Sequence, residues 1–277
     1  MTITAEIILD SSHIATGKRI TTMLLRYPRF IHSEFMTHRM FSRNASSSRA
    51  IPFEKLVDDI RRDTAMPVSW GKNRRGMQAT EELSLHEIAD ARRRWLIARD
   101  NAIHQATYMN LMGLHKQVVN RILEPFAHIN VLVTATEWEN FFHQRLHPDA
   151  QPEMQELARV MKIAMTHATT FLIEPGEWHL PFINHVDYEA IEDDRLLCQV
   201  SAARCARLSY MTFDGKRSTV EEDVKLFAKL VGSDPVHASP LEHQAQAMDK
   251  IDHNDEGRDY FESNFRDFRQ FRKLLGH

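Results

Sequence analysis

Apolar positions along this chain recur at two different spacings, and the changes between them lay out the elements. Residues 19–25 (RITTMLL) are rich in β-branched and apolar side chains and run into Tyr27-Pro28, which predicts a strand ending in a break. Residues 30–36 lead from there into a polar stretch. Pro67, Gly71 and Gly76, with basic residues between them, predict an irregular loop around Trp70. From about Glu81, Ile88, Ala91, Trp95, Ala98, Ala102, Ala106 and Met109 recur at three- and four-residue steps. That period predicts a long helix running toward Arg121 and stopping near Pro125. Residues 128–133 read as a short bridging element and 136–145 as a helix broken at Pro148. Met154, Leu157, Met161, Ala164 and Ala168 mark the next helix, closed by Pro175-Gly176. Residues 178–186 read as loop or short strand, and 194–208 as a helix carrying both cysteines. Ser218 and Glu221 have capping-box spacing, opening a helix with Val220, Val224, Phe227 and Val231 on its buried face.

Helices outweigh strands, and no repeat, low-complexity run or linker divides the chain. The expected fold is α+β: long helices packed on a small, mostly antiparallel sheet, in a single domain over residues 1–277. With 277 residues the chain can bury a substantial core. Its net charge of −3 argues against a nucleic-acid coat or a membrane-surface protein, so any basic site must be local. Two cysteines, Cys198 and Cys205, make no disulfide framework and point to a reducing compartment. No signal segment or transmembrane run is evident, which gives a cytoplasmic expectation.

Residues 37–49 (THRMFSRNASSSR) concentrate three arginines, a histidine, an asparagine and four serines in thirteen positions. Buried polar groups each need a partner, whereas an anionic, hydrogen-bonding ligand supplies partners to many at once. Arg39 and Arg49 bracket a serine-rich turn suited to a phosphate. Arg121 and Arg145 each stand at the end of an amphipathic segment, where a helix end aims a side chain into a cleft. His143 and His147 lie four apart, but Gln144 stands where a zinc hydrolase has glutamate and Pro148 breaks the helix, so no metal site is expected. Cys198 and Cys205 read as buried structural thiols. Phe265, Phe268 and Phe271 alternate with Arg266, Arg269 and Arg272. That pattern fits an amphipathic core helix, with single-stranded nucleic-acid binding as the alternative.

The polar stretch resembles the signature of the flavin-dependent thymidylate synthases (the ThyX family): Arg-His-Arg, seven residues, then Ser-x-Arg. Here His38-Arg39 and Ser47-Ser48-Arg49 match in spacing, with Thr37 in place of the first arginine. Residues 203–210 (ARCARLSY) and 237–243 (HASPLEH) resemble the family's ARxSY and HxSPxEH segments. Residues 121–125 resemble its Arg-x-x-Leu-Pro element, and Asn140 through Arg145 with Ala150-Gln151-Pro152-Glu153 its N-x-x-x-x-R … AQ-x-E region. The segment 201–243 resembles the family's N-terminal part yet follows the motif, so the chain reads as circularly permuted.

The resemblance implies transfer of one carbon from methylene-tetrahydrofolate to the uracil ring of dUMP, making dTMP, with FAD as cofactor and NADPH as reductant. It implies Ser47, Arg49 and Arg145 as catalytic residues, and Glu34, Ser47, Ser48, Arg49, Arg121 and Arg145 around dUMP. It implies His38, Arg39, Asn140, Ser209 and His243 around FAD, in a homotetramer with sites shared between subunits. Glu34 stands where the family has a pyrimidine-contacting glutamine. Thr134, Thr136 and Asp149 stand where it has flavin-binding asparagine, arginine and histidine. These departures leave open a dUMP hydroxymethyltransferase on the same fold. A non-catalytic nucleotide- or RNA-binding protein is the reading from another class.

Overall fold

The computed structural model describes residues 3–79, 81–210, 218–249 and 257–276, the side chains of Ser209, Tyr210 and Arg258 excepted. A five-stranded sheet runs in the order β3-β4-β2-β1-β5: β1 (Thr4–His13), β2 (Arg19–Pro28), β3 (Ser42–Ala45), β4 (His128–Ala135) and β5 (Phe171–Ile173). All neighbours are antiparallel except β1 and β5. Strand alternation sends Met23, Leu25 and Tyr27 with Ile129, Val131 and Val133 to one face. There they pack against α5 (Glu139–Arg145) and α6 (Pro152–His167), whose Phe141, Met154, Leu157 and Met161 are buried. Leu24 and Leu132 point to the other face, toward Cys205 and Leu208 of α8 (Asp194–Tyr210).

A second layer forms around α2 (Phe53–Arg62) and α3 (Leu85–Leu111), with α4 (Lys116–Val119) and the 3-10 turn Asn120–Phe126. The long helix stops at Leu111, earlier than its periodicity predicts, because Gly113 adopts a φ of 83° that continues no helix. It starts on a capping box of Ser84 and Glu87. Beyond the sheet, α7 (His185–Ala190), α8 and α9 (Val220–Val231) form a helical layer. A three-stranded antiparallel sheet adjoins it: β6 (Trp178–His179), β7 (Ala245–Ala247) and β8 (Phe268–Gln270). The short helices α1 (His32–Phe35), α10 (Arg258–Glu262) and α11 (Phe271–Leu274) complete the chain.

Several expectations shift in detail. The cap of α9 is Thr219 with Glu222, one residue later than expected, and Phe227 is buried with Asp223 and Leu230. Ser218 instead donates to Asp223 at 2.7 Å. Asp223 also receives Arg204 and Arg207, both at 3.0 Å, while Arg204 forks onto Asp187; one buried guanidinium thus ties α7, α8 and α9 together. Residues 128–133 belong to a full central strand rather than a bridge. Phe265, Phe268 and Phe271 are buried, as the core reading holds, but they lie in a loop, a strand and a short helix rather than on one helix. Both cysteines are free and buried, and burial raises their thiol pKa values well above the ordinary range.

Candidate active site

The turn after β2 directs the candidate residues. Pro28 ends the strand, and α1 presents Glu34 from its single exposed flank while Phe35 anchors the opposite flank in the core. Arg43 then fixes the following turn, its guanidinium donating to the carbonyls of Met36 at 2.8 Å and His38 at 3.1 Å. Across the gap, α5 ends at Arg145. Its Nη1 forms an ion pair with Glu34, and its Nε donates to His38 Nε2 at 2.9 Å. His38 must accept there, so its proton sits on Nδ1. Burial, then Arg145 and Arg43, depress its pKa to about 4, leaving it neutral at pH 7. Phe141 closes one side of the ring, edge-on at 4.8 Å.

Glu34 and Arg145 line a cleft of about 820 Å³, within the range of small-molecule sites. Phe30 and Trp95 form an aromatic wall, their rings edge-to-face at 6.3 Å. Gln151 and Glu153, from the AQ-x-E stretch, form the floor. Glu153 is buried, and its carboxylate accepts the Val68 N–H at 2.8 Å and the Gln151 amide at 3.2 Å. The loop around Trp70 forms the outer rim through Ser69, Gly71, Met77, Gln78 and Ala79. A larger cavity, about 960 Å³, lies beside the β1–β2 turn and is lined by Lys18, Arg19, Thr136, Trp138, His143 and His147, whereas Glu34 and Arg145 line the smaller cleft.

The remaining candidates gather elsewhere. Ser48 donates to Glu124 at 2.6 Å, and the same carboxylate oxygen receives Arg121 at 3.0 Å and Arg29 at 3.3 Å. Ser47 is half-buried, and Arg39 and Arg49 are exposed. Asn140 is exposed and accepts from Gln144 at 3.2 Å. The Ser209 side chain lies outside the described residues. His243 is sealed away in a buried relay that crosses from β1 to the turn before β7. Ser11 joins His179 at 2.9 Å, His179 joins Thr22 at 2.8 Å, Thr22 joins Thr134 at 2.7 Å and Thr134 joins His243 at 2.8 Å. Thr136 is likewise occupied, accepting the Arg266 N–H at 3.0 Å. Among the described side chains assigned to FAD, His38 lies against Arg145, Arg39 and Asn140 are exposed and His243 is enclosed, so these four do not meet in one cleft of the protomer.

Sequence reasoning missed Phe30, Trp95, Glu153 and Gln78 as cleft residues. The signal for Trp95 was its place on the inner stripe of α3, which reads only as core. His143 and His147 are exposed, and the described residues contain no cluster of His, Cys, Asp or Glu able to hold a metal ion.

The motif is matched by a family model: the thymidylate synthase complementing protein model covers residues 18–168. The chain belongs to that family. The matched region takes in Glu34, the whole polar motif, Arg121 and Arg145, and ends before the segment 201–243. Among solved structures it is similar to the UMP/dUMP methylase PolB from Streptomyces cacaoi bound with 5-Br UMP. Identity is 16% and the TM-score 0.49, over 60% of this chain and 89% of that one. The same methylase bound with 5-Br dUMP matches at 16% identity and a TM-score of 0.47, over 60% and 90%. No curated protein sequence matches. Among the described residues no helix is long and apolar enough to cross a membrane.

Proposed function

We propose that this member of the thymidylate synthase complementing protein family transfers one carbon from methylene-tetrahydrofolate to the uracil ring of dUMP, yielding dTMP. The observation that carries the reading is the Glu34–Arg145 pair on the wall of an aromatic-lined cleft, with His38 accepting from Arg145, all inside the matched region. A planar base lies on Phe30 and Trp95. When C5 of the ring becomes nucleophilic, charge develops on a ring carbonyl oxygen, and Arg145 is a fixed cation placed to stabilise it. Glu34 and neutral His38 hold that guanidinium in orientation without competing for the proton.

The phosphate needs several cations, and Arg49 and Arg121 are not gathered at this cleft in one protomer. The proposal therefore includes self-association, to a homotetramer by family resemblance, in which a second copy supplies Ser47, Ser48, Arg49 and Arg121. The exposed Ile97, Tyr108, Leu111 and Met112 on and just after α3 support such packing. FAD and NADPH enter as the family's cofactor and reductant. The reading extends to a single catalytic domain acting in the cytoplasm, in keeping with two unpaired, buried cysteines.

The test is mass spectrometry of the nucleotide formed from dUMP with FAD, methylene-tetrahydrofolate and NADPH supplied anaerobically. A product heavier by a methyl group supports the proposal, and a hydroxymethylated one moves the enzyme to the neighbouring reaction. Unmodified dUMP with every component present overturns it. The nucleic-acid alternative loses its platform, since Phe265, Phe268 and Phe271 are buried and cannot stack on bases.

A further inference from the structure

Glu124 sits where three segments meet. It lies on the 3-10 turn Asn120–Phe126, while Ser48 follows β3 and Arg29 follows β2. A single carboxylate oxygen, Oε1, faces all the donors: the Ser48 hydroxyl at 2.6 Å, Arg121 Nη1 at 3.0 Å and Arg29 Nε at 3.3 Å. The segments are also tied together without that oxygen. The Asn120 amide donates to the carbonyls of Ser48 at 2.8 Å and Ile51 at 3.0 Å, and Lys116 donates to that of Ala50 at 2.8 Å. Arg29 N–H donates to the Ala127 carbonyl at 2.9 Å. The donors therefore stay assembled if the carboxylate leaves.

Two guanidiniums and a hydroxyl directed at one oxygen form a receptor for an oxyanion. Here the oxyanion belongs to the chain itself. Glu124 is the residue by which this turn departs from the Arg-x-x-Leu-Pro pattern, and Arg29 lies outside every motif. A serine hydroxyl has one proton, so Ser48 cannot donate to Glu124 and to a ligand at once. The carboxylate also cancels one of the two arginine charges. Ser48 is 4% exposed, whereas the Glu124 side chain keeps 24%. The carboxylate thus covers the hydroxyl from the solvent side, where it can swing away without opening the core.

We propose that Glu124 is an internal competitor: its carboxylate fills the anion subsite made by Arg29, Arg121 and Ser48, and a phosphate monoester enters by displacing it. The inference rests on the proposed function and adds a regulation of its phosphate subsite. A phosphate dianion carries more charge and more acceptor oxygens than the carboxylate, so it displaces Glu124; an uncharged nucleoside does not.

Calorimetric titration of inorganic phosphate, dUMP and deoxyuridine into wild type, Glu124→Gln and Glu124→Leu tests it. Both variants should bind phosphate and dUMP about tenfold more tightly than wild type, with deoxyuridine unchanged. The gain is diagnostic. A carboxylate that only braced the two arginines would, once removed, let them part and weaken both anions. Glu124→Gln keeps the side-chain volume, and Glu124→Leu restores the residue of the motif, so the two variants perturb the fold in different ways. Adding Ser48→Ala to Glu124→Gln should shrink the gain, because the released hydroxyl is part of it. Phosphate affinity that is unchanged or lower in both Glu124 variants overturns the competitor role. An equal gain for deoxyuridine overturns it too, since Glu124 then acts on something other than the phosphate. If the variants gain affinity for inorganic phosphate but bind dUMP no more tightly than phosphate, the competitor stands and the proposed function fails.

Discussion

The side chain of Asn44 donates to the backbone carbonyl of Cys205 at 2.7 Å, joining residues 161 apart in sequence. Its Oδ1 stands 3.4 Å from the Ser239 hydroxyl, which is placed to donate to it. One amide in β3 therefore stitches the polar motif to α8 and to the turn at residues 239–242. Both α8 and that turn lie beyond the family match at residues 18–168. Asn44→Ala removes this buried hydrogen bond and should cost about 1 kcal/mol. Urea unfolding checks it: the midpoint falls with an unchanged slope.

Arg145 and Glu34 should behave as a unit. Removing the arginine strands a half-buried carboxylate and takes away the cation that the proposed chemistry needs. Arg145→Ala should therefore lower kcat/KM for dUMP by about 100-fold or more. Glu34→Gln releases one restraint but leaves Nε of Arg145 on His38, so its effect should be smaller and fall mainly on kcat. The double variant should be no worse than Arg145→Ala alone. Additive losses in steady-state kinetics would show that the two side chains act separately.

What the sequence disclosed and what it concealed divide along burial of polar residues. The helices α3, α6 and α9 announce themselves because their inner faces carry apolar side chains at helical spacing. Strand β1 does not: its second half is Asp10, Ser11, Ser12 and His13, polar residues without an apolar alternation to mark a strand. They are strand residues because their polar side chains find partners on the neighbouring strand β2 and on β6. Arg19 and Thr21 donate to Asp10 at 2.8 and 2.6 Å, and His179 meets Ser11. His243 shows the same effect at the site. Its motif suggests a ligand contact, while the fold encloses it behind Thr134. The pairing of His38 with Arg145 was legible only as two members of one motif set, since 107 residues separate them. Gln78 carried no signal beyond an irregular loop, because a cleft rim without regular structure has no periodicity to read.

Acid should loosen this protein earlier than its carboxylates alone would. Burial depresses His179 and His243 to about 3, and His32, His38 and His128 to about 4. A histidine that is harder to protonate folded than unfolded contributes its stability above the unfolded pKa of about 6.5, and that contribution is lost as pH falls toward the folded value. The loss therefore runs from about pH 6.5 down to about pH 3, with the relay histidines contributing most because they are enclosed. His243→Gln should flatten the fall in melting temperature between pH 6.5 and pH 4. An unchanged slope would place the acid sensitivity elsewhere.

The division of the candidate residues makes a prediction about assembly. Arg145 stands at the aromatic cleft, while Arg49 is exposed and Arg121 is held at Glu124, away from it. If a second copy completes the site, Arg49→Ala and Arg145→Ala should each be inactive alone, yet regain activity when mixed and allowed to exchange subunits. A mixed pair contains one site with both arginines intact and one with both missing. Random exchange of equal amounts then restores about a quarter of the wild-type sites. Neither variant is expected to unfold the chain, since Arg49 makes no core contact and Arg145 is only half-buried. Activity that stays at the level of the separate variants, with exchange verified by mass spectrometry, would mean that each protomer builds its site alone.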